Sequence, residues 1–197
     1  MPMLAKIKRL EFFGLFFIIS LSVLLQNIYQ LFGREAIGIM FGSVNNSIWE
    51  IAKTLILPYF LWSMLEMLTI TPQFKKFVVC KVFALYFFGL LYILLCVALS
   101  VFSLSSVYLA EFIVAIVSLS VTALLFCKAY LTDFGPTHLF FPALFLLLLL
   151  GAIYFSFTPF PPQLFIFMDR ETGLYGIIPQ NIDRGAIVLD TIYNVAV

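Results

Sequence analysis

Polar residues interrupt this chain at wide intervals, and the apolar stretches between them are long. They occupy residues 12–32, 48–70, 78–102, 107–131 and 139–157. A hydrocarbon core about 30 Å thick needs about 20 mostly apolar residues in a helix, so each stretch predicts a membrane-spanning helix. The breaks carry turn chemistry. Gly33-Arg34-Glu35 follows the first stretch, and Thr71-Pro72-Gln73 with Lys75-Lys76 follows the second. Ser103-Leu104-Ser105-Ser106 and Asp133-Phe134-Gly135-Pro136-Thr137 follow the third and fourth, and Gly-Pro is a strong stop. Linkers this short make neighbouring helices antiparallel. The predicted class is all-α, a polytopic helical bundle over residues 1–157 with a tail, residues 158–197, packed on one face.

Composition supports this reading and removes other classes. Apolar residues make up 63% of the 197-residue chain and charged residues 11%, against about 45–50% and about 25% in soluble domains. With 11 basic and 10 acidic side chains there is no field for a polyanion, so nucleic acid is not an expected partner. Membrane lipids are. Lys6, Lys8 and Arg9 ahead of the first apolar stretch resemble a signal-peptide start, but the stretch is too long and lacks a small-residue cleavage site, which points to an uncleaved helix. Lys and Arg favour the cytoplasmic side. With the N-terminus inside, Lys6, Lys8, Arg9, Lys75, Lys76, Lys81 and Lys128 are cytoplasmic, while Arg34, Lys53, Arg170 and Arg184 are not. The expected arrangement is therefore N-in, C-out, multi-pass, in a plasma or bacterial inner membrane.

Candidate chemistry is sparse. Cys80, Cys96 and Cys127 all fall within spans, and His138 is the single histidine, so no metal site or cofactor is expected. There is no internal repeat and no G-x-S-x-G or Ser-His-Asp pattern. No residue is assigned a catalytic role, and hydrolase or metalloenzyme chemistry is disfavoured.

The polar residues that remain converge on one side. The second span opens Asn45-Asn46-Ser47-Ile48-Trp49-Glu50-Ile51-Ala52-Lys53, and spacings of four and three put Asn46, Glu50 and Lys53 on one helical face. Asn45 and Ser47 suit a helix N-cap, and Trp49 suits an interfacial anchor. Glu111 enters from the same side on the fourth span. The tail follows Pro161-Pro162, which forbid helix, and an apolar segment, 163–168, expected to lie across that surface. It would carry Asp169 and Tyr175 towards the start of the second span, with Gly173 and Gly176 allowing tight turns. Glu66 reads as interfacial or paired with Lys75 or Lys76.

Two segments carry a resemblance. Asn45-Asn46-Ser47-Ile48-Trp49-Glu50-Ile51-Ala52-Lys53 resembles an N-E-S-x-W-E-x-x-K pattern. Pro161-Pro162, Asp169 and Gly173-Leu174-Tyr175-Gly176-Ile177 resemble a late P-P…D…G-x-Y-G-I element. Both are similar to those of a family of small, uncharacterised bacterial polytopic membrane proteins. Asn46 stands where that pattern prefers Glu and Ile51 where a His often follows, so two titratable groups are missing. The resemblance implies architecture and the location of a site, and no known activity.

The expected function is therefore a polar site at the outer face, built from Asn46, Glu50, Lys53, Glu111, Asp169 and Tyr175, binding a lipid or an amphipathic small molecule. In that reading Lys53 would meet a phosphate or carboxylate and Glu50 would act as acceptor or base. The alternatives are a structural or assembly protein in which the cluster only locks helices together, or a subunit of an oligomeric transporter, since a homo-oligomer could create a path that one chain lacks.

Overall fold

In the computed structural model, the structure describes residues 2–32, 35–69, 73–102, 108–132 and 137–178. Among these described residues six α-helices follow in order: α1 (Pro2–Leu31), α2 (Ala36–Phe41), α3 (Ile48–Thr69), α4 (Phe74–Val101), α5 (Tyr108–Leu131) and α6 (Phe140–Ser156). Five of them, all but α2, are long and apolar enough to cross a membrane. α3, at 22 residues, spans about 33 Å at about 1.5 Å per residue, and the shortest of the five, α6, reaches 20 residues with the 3-10 turn Thr137–Leu139 before it. Among the described residues there is no β-strand, only an isolated antiparallel bridge between Met168 and Tyr175. The sequence expectations at Gly33-Arg34, at Thr71-Pro72, at Ser103–Ser106, at the Asp133–Pro136 turn, at Arg184 and for the rest of the tail beyond Ile178 lie outside the described residues.

The helix ends differ instructively from the apolar stretches. α1 begins at Pro2 rather than near residue 12, because helix continues through the charged segment that hydropathy assigns to the flank. The short α2 has no counterpart in the predicted elements; six residues are too few to show a helical period. It folds back on the end of α1, and Gly38 makes that approach possible: a Cβ there would lie 2.7 Å from the Tyr29 Cα. Pro58 sits inside α3 and removes one rung of its hydrogen-bond ladder, a defect that packed membrane-type helices tolerate.

Packing forms a closed ring. α1 meets α3, α3 meets α4, α4 meets α5, and α5 returns to α1, while α6 lies outside the ring against α4. The ring interior is dense with aromatic and aliphatic side chains, including Tyr59, Phe77, Phe88, Tyr92, Leu119 and Phe126. Tyr59 stacks on Phe88 with centroids 5.5 Å apart, and Phe126 stacks on Tyr130 at 5.7 Å. Ends are tied by lysines that cap free carbonyls. Lys6 donates to the Thr69 carbonyl at the end of α3 (2.8 Å), and Lys76 donates to the Thr132 carbonyl just past α5 (2.6 Å). α6 is held to α4 by the Tyr86 hydroxyl, which donates to the Leu146 carbonyl at 2.7 Å.

Candidate functional site: a latched cavity at one end of the ring

The chain enters α3 through a tight polar turn. The Asn45 side-chain oxygen accepts the Ser47 amide (2.9 Å), and the Ser47 hydroxyl accepts the Glu50 amide (3.3 Å). Ser47 is thus the N-cap, and Asn45 shapes the turn before it. That geometry turns Glu50 and Lys53 towards α2 and the chain just after α6.

There they form a closed network. Lys53 lies 2.8 Å from a Glu50 carboxylate oxygen. It also donates to the Thr158 hydroxyl (2.7 Å) and to the Ile39 carbonyl of α2 (3.3 Å). The Thr158 hydroxyl donates to the other Glu50 oxygen at 2.7 Å, and the Val44 amide donates to Glu50 at 3.2 Å. A hydroxyl between a carboxylate and an ammonium is a nucleophile-like arrangement. Here, however, Lys53 is 0% exposed, Glu50 2% and Thr158 3%, so no substrate reaches it in this conformation. The network joins α2, α3 and the chain just after α6.

The tail closes over this turn as a second layer. Phe167, in a 3-10 turn at Phe165–Phe167, is buried against Trp49 and Phe157, with centroids 5.5 Å and 5.3 Å away. Trp49 is itself 6% exposed, so it packs inside the fold and does not serve as an exposed anchor. The chain then reverses: the Asp169 amide donates to the Leu174 carbonyl and the Gly173 amide to the Asp169 carbonyl. Gly173 adopts φ +70°, a conformation costly for a residue with a Cβ. The reversal leaves the Asp169 carboxylate to accept the Asn46 amide (2.8 Å), the Thr172 amide (2.9 Å) and the Thr172 hydroxyl (2.7 Å). Asn46 donates from its side chain to Glu171 and Asn45 donates to the Gly176 carbonyl. Arg170 pairs with Glu111 at the start of α5.

Behind these contacts the ring encloses a cavity of about 610 Å³, within the usual range of about 300–1,000 Å³ for ligand sites. Its wall is apolar where Ile19, Val23, Ile51, Leu55, Phe112 and Ala115 face it. Its mouth is polar, with Gln26, Gln30, Asn45, Asn46, Glu111, Asp169, Glu171 and Thr172. Of the sequence-predicted ligand residues, Asn46, Glu111 and Asp169 border the cavity, while Glu50, Lys53 and Tyr175 do not. Tyr175 instead lies in the bridge to Met168 and is 37% exposed. Among the described lining residues three carry carboxylates and none is Lys or Arg. No group of three His, Cys, Asp or Glu able to hold a metal ion comes together among the described residues.

A second charged cluster sits at the opposite end of the ring. Lys81 lies 2.5 Å from Glu11 and 2.5 Å from Glu66, and all three are buried. The expected pairing of Glu66 with Lys75 or Lys76 is thereby corrected: the register of α3 against α4 presents Lys81 to it. Glu11 and Lys81 are missed by sequence reading because each falls where an apolar stretch meets its basic flank. Their one signal is solitary charge inside a long helix.

A family model described as a family of unknown function (DUF6512) matches residues 2–177. No curated protein and no solved structure matches the chain.

Proposed function

Since the chain belongs to DUF6512, a family of unknown function, its activity has to be read from its own geometry, and we propose that it is a membrane protein binding an amphipathic small molecule or lipid in the cavity at the tail end of the ring. The observation that carries this reading is the division of one cavity of about 610 Å³ into an apolar wall and a polar mouth. An acyl chain or other apolar body gains about 25 cal/mol per Å² on leaving water, while the mouth satisfies a polar head. With Glu111 paired to Arg170, the described lining still carries the carboxylates of Asp169 and Glu171 and no Lys or Arg, which favours a head bearing hydroxyls or an amine over a phosphate. Lys53, enclosed by Glu50, Thr158 and Ile39, serves as the latch that holds the mouth in shape. Asn46, Glu111 and Asp169 meet the ligand at the rim. The Lys and Arg distribution supports a mouth on the non-cytoplasmic face of a plasma or bacterial inner membrane.

The test is co-purification. Lipids and small amphipaths bound to the detergent-purified chain are identified by native mass spectrometry, for wild type and for Ala115→Phe. Ala115 is buried at the cavity wall, so the added ring fills the cavity. Wild type is expected to carry a bound amphipath that Ala115→Phe lacks at unchanged helical content. Equal occupancy in both, or none in wild type, favours the alternative of a structural membrane protein whose polar cluster only joins helices.

A further inference from the structure

The ring holds a second buried polar assembly whose charges do not cancel. Glu11 of α1 and Glu66 of α3 each lie 2.5 Å from Lys81 of α4. Two carboxylates against one ammonium leave one negative charge. The side chains are 9%, 0% and 5% exposed for Glu11, Glu66 and Lys81, so water does not disperse it. An uncompensated buried charge is strongly unfavourable, and such groups neutralise instead. A second observation points the same way. Lys81 is the one cation paired with Glu66 among the described residues, and Glu11 shares it. A buried carboxylate with only half of a cation is costly, whereas a neutral carboxyl tolerates that setting.

Among the described residues the surroundings supply no other counter-charge of the required kind. From α3 the group facing Lys81 is Tyr59, whose ring centroid is 5.5 Å from the ammonium. From α5 they are Phe126, with its centroid 3.9 Å away, and Cys127. From α4 comes Phe77 at 5.9 Å. From α1 the next charge is Lys8, which is exposed. From α6 only Leu144 and Leu147 border the groove beside Lys81. The aromatic faces attract the ammonium and fix it between the two carboxylates. A metal cation does not fit this setting, because Lys81 already occupies the space where both carboxylates converge.

We propose that Glu11, Lys81 and Glu66 form a proton-binding site that takes up and releases one proton. The proton resides on Glu66, its uptake converts that carboxylate to a carboxyl, and its release restores the net negative charge. Access is from the end of the ring opposite the cavity. Lys81 lies seven residues from the start of α4, about 10 Å along the axis at about 1.5 Å per residue. Glu66 lies three residues before the end of α3 at Thr69. Ionisable groups at such depth are expensive to keep and in membrane proteins mark proton or ion sites.

The experiment is infrared difference spectroscopy of the full chain in proteoliposomes, titrated from neutral to alkaline pH. A protonated-carboxyl carbonyl band is expected at neutral pH, bleaching by one equivalent as pH rises. The bleach is expected to vanish in Glu66→Gln and in Glu11→Gln, and to persist in Glu35→Gln, which alters an exposed carboxylate. Absence of the band at neutral pH, survival of the bleach in both triad variants, or a band that never bleaches while the protein stays folded would each overturn the proposal. Glutamine mimics the neutral carboxyl and leaves a one-to-one ion pair, so both triad variants are expected to fold. Failure of both to fold also counts against the proposal. None of these readouts involves the cavity or its ligand.

Discussion

Replacing Lys53 by methionine removes the ammonium from the latch and leaves its surroundings in place. The Glu50 carboxylate then loses a cation 2.8 Å away but still accepts from Val44 and Thr158. Removing one partner of a buried ion pair costs about 3–5 kcal/mol. The hydrogen bonds from Val44 and Thr158 are present before and after the change and cancel, so the expected loss is about 3–5 kcal/mol. The double variant Lys53→Met/Glu50→Gln strands no charge, so it is expected to lie within about 1–2 kcal/mol of wild type. Removing a second polar group should thus restore stability. Reversible unfolding of purified protein in mixed micelles, followed by circular dichroism, measures all three. If the double variant is less stable than Lys53→Met, or if Lys53→Met matches wild type, the pair does not work as a buried, mutually compensating latch. Neither residue borders the cavity, so a folded double variant is also expected to retain the bound amphipath.

The same geometry sets three further outcomes. Phe167→Ala empties the space between Trp49 and Phe157; with about 3–5 kcal/mol typical of such truncations, the tail is expected to detach and become protease-sensitive near Arg170 while the helices persist. Gly173→Ala meets no neighbouring atom within 4 Å but retains φ +70°, so it is expected to cost about 1–2 kcal/mol from backbone strain alone, read as a lowered melting temperature. In a variant with Cys80, Cys96 and Cys127 replaced, a single cysteine at Leu174 is expected to react with a membrane-impermeant thiol reagent in intact cells and one at Gln73 is not. Both positions are exposed, and labelling from the same side would overturn the proposed orientation and the odd number of crossings.

Hydropathy alone determined the five long helices, because twenty consecutive apolar residues have few other folded solutions and the stretch is a one-dimensional property. The polar turn before α3 was legible for a similar reason: the Asn45 and Ser47 side chains accept backbone amides within three residues of themselves. The convergence of Asn46 with Asp169 was suggested by span parity, and the structure joins them directly across 123 positions of sequence. Other features depended on which helix face meets which neighbour. Glu50 and Lys53 share a face in the helical wheel, but only the ring shows that this face turns onto Thr158, away from the cavity. Trp49 has the amphipathic character of an interfacial residue, and packing of Phe157 and Phe167 buries it. Glu66 had two closer lysines in sequence, at 75 and 76. The register of α3 on α4, set by side-chain interlocking along the whole contact, gave it Lys81 instead. Charge count and apolar length are additive along a chain and survive in the sequence. Pairing and enclosure depend on rotation and register between helices, which only the tertiary structure fixes.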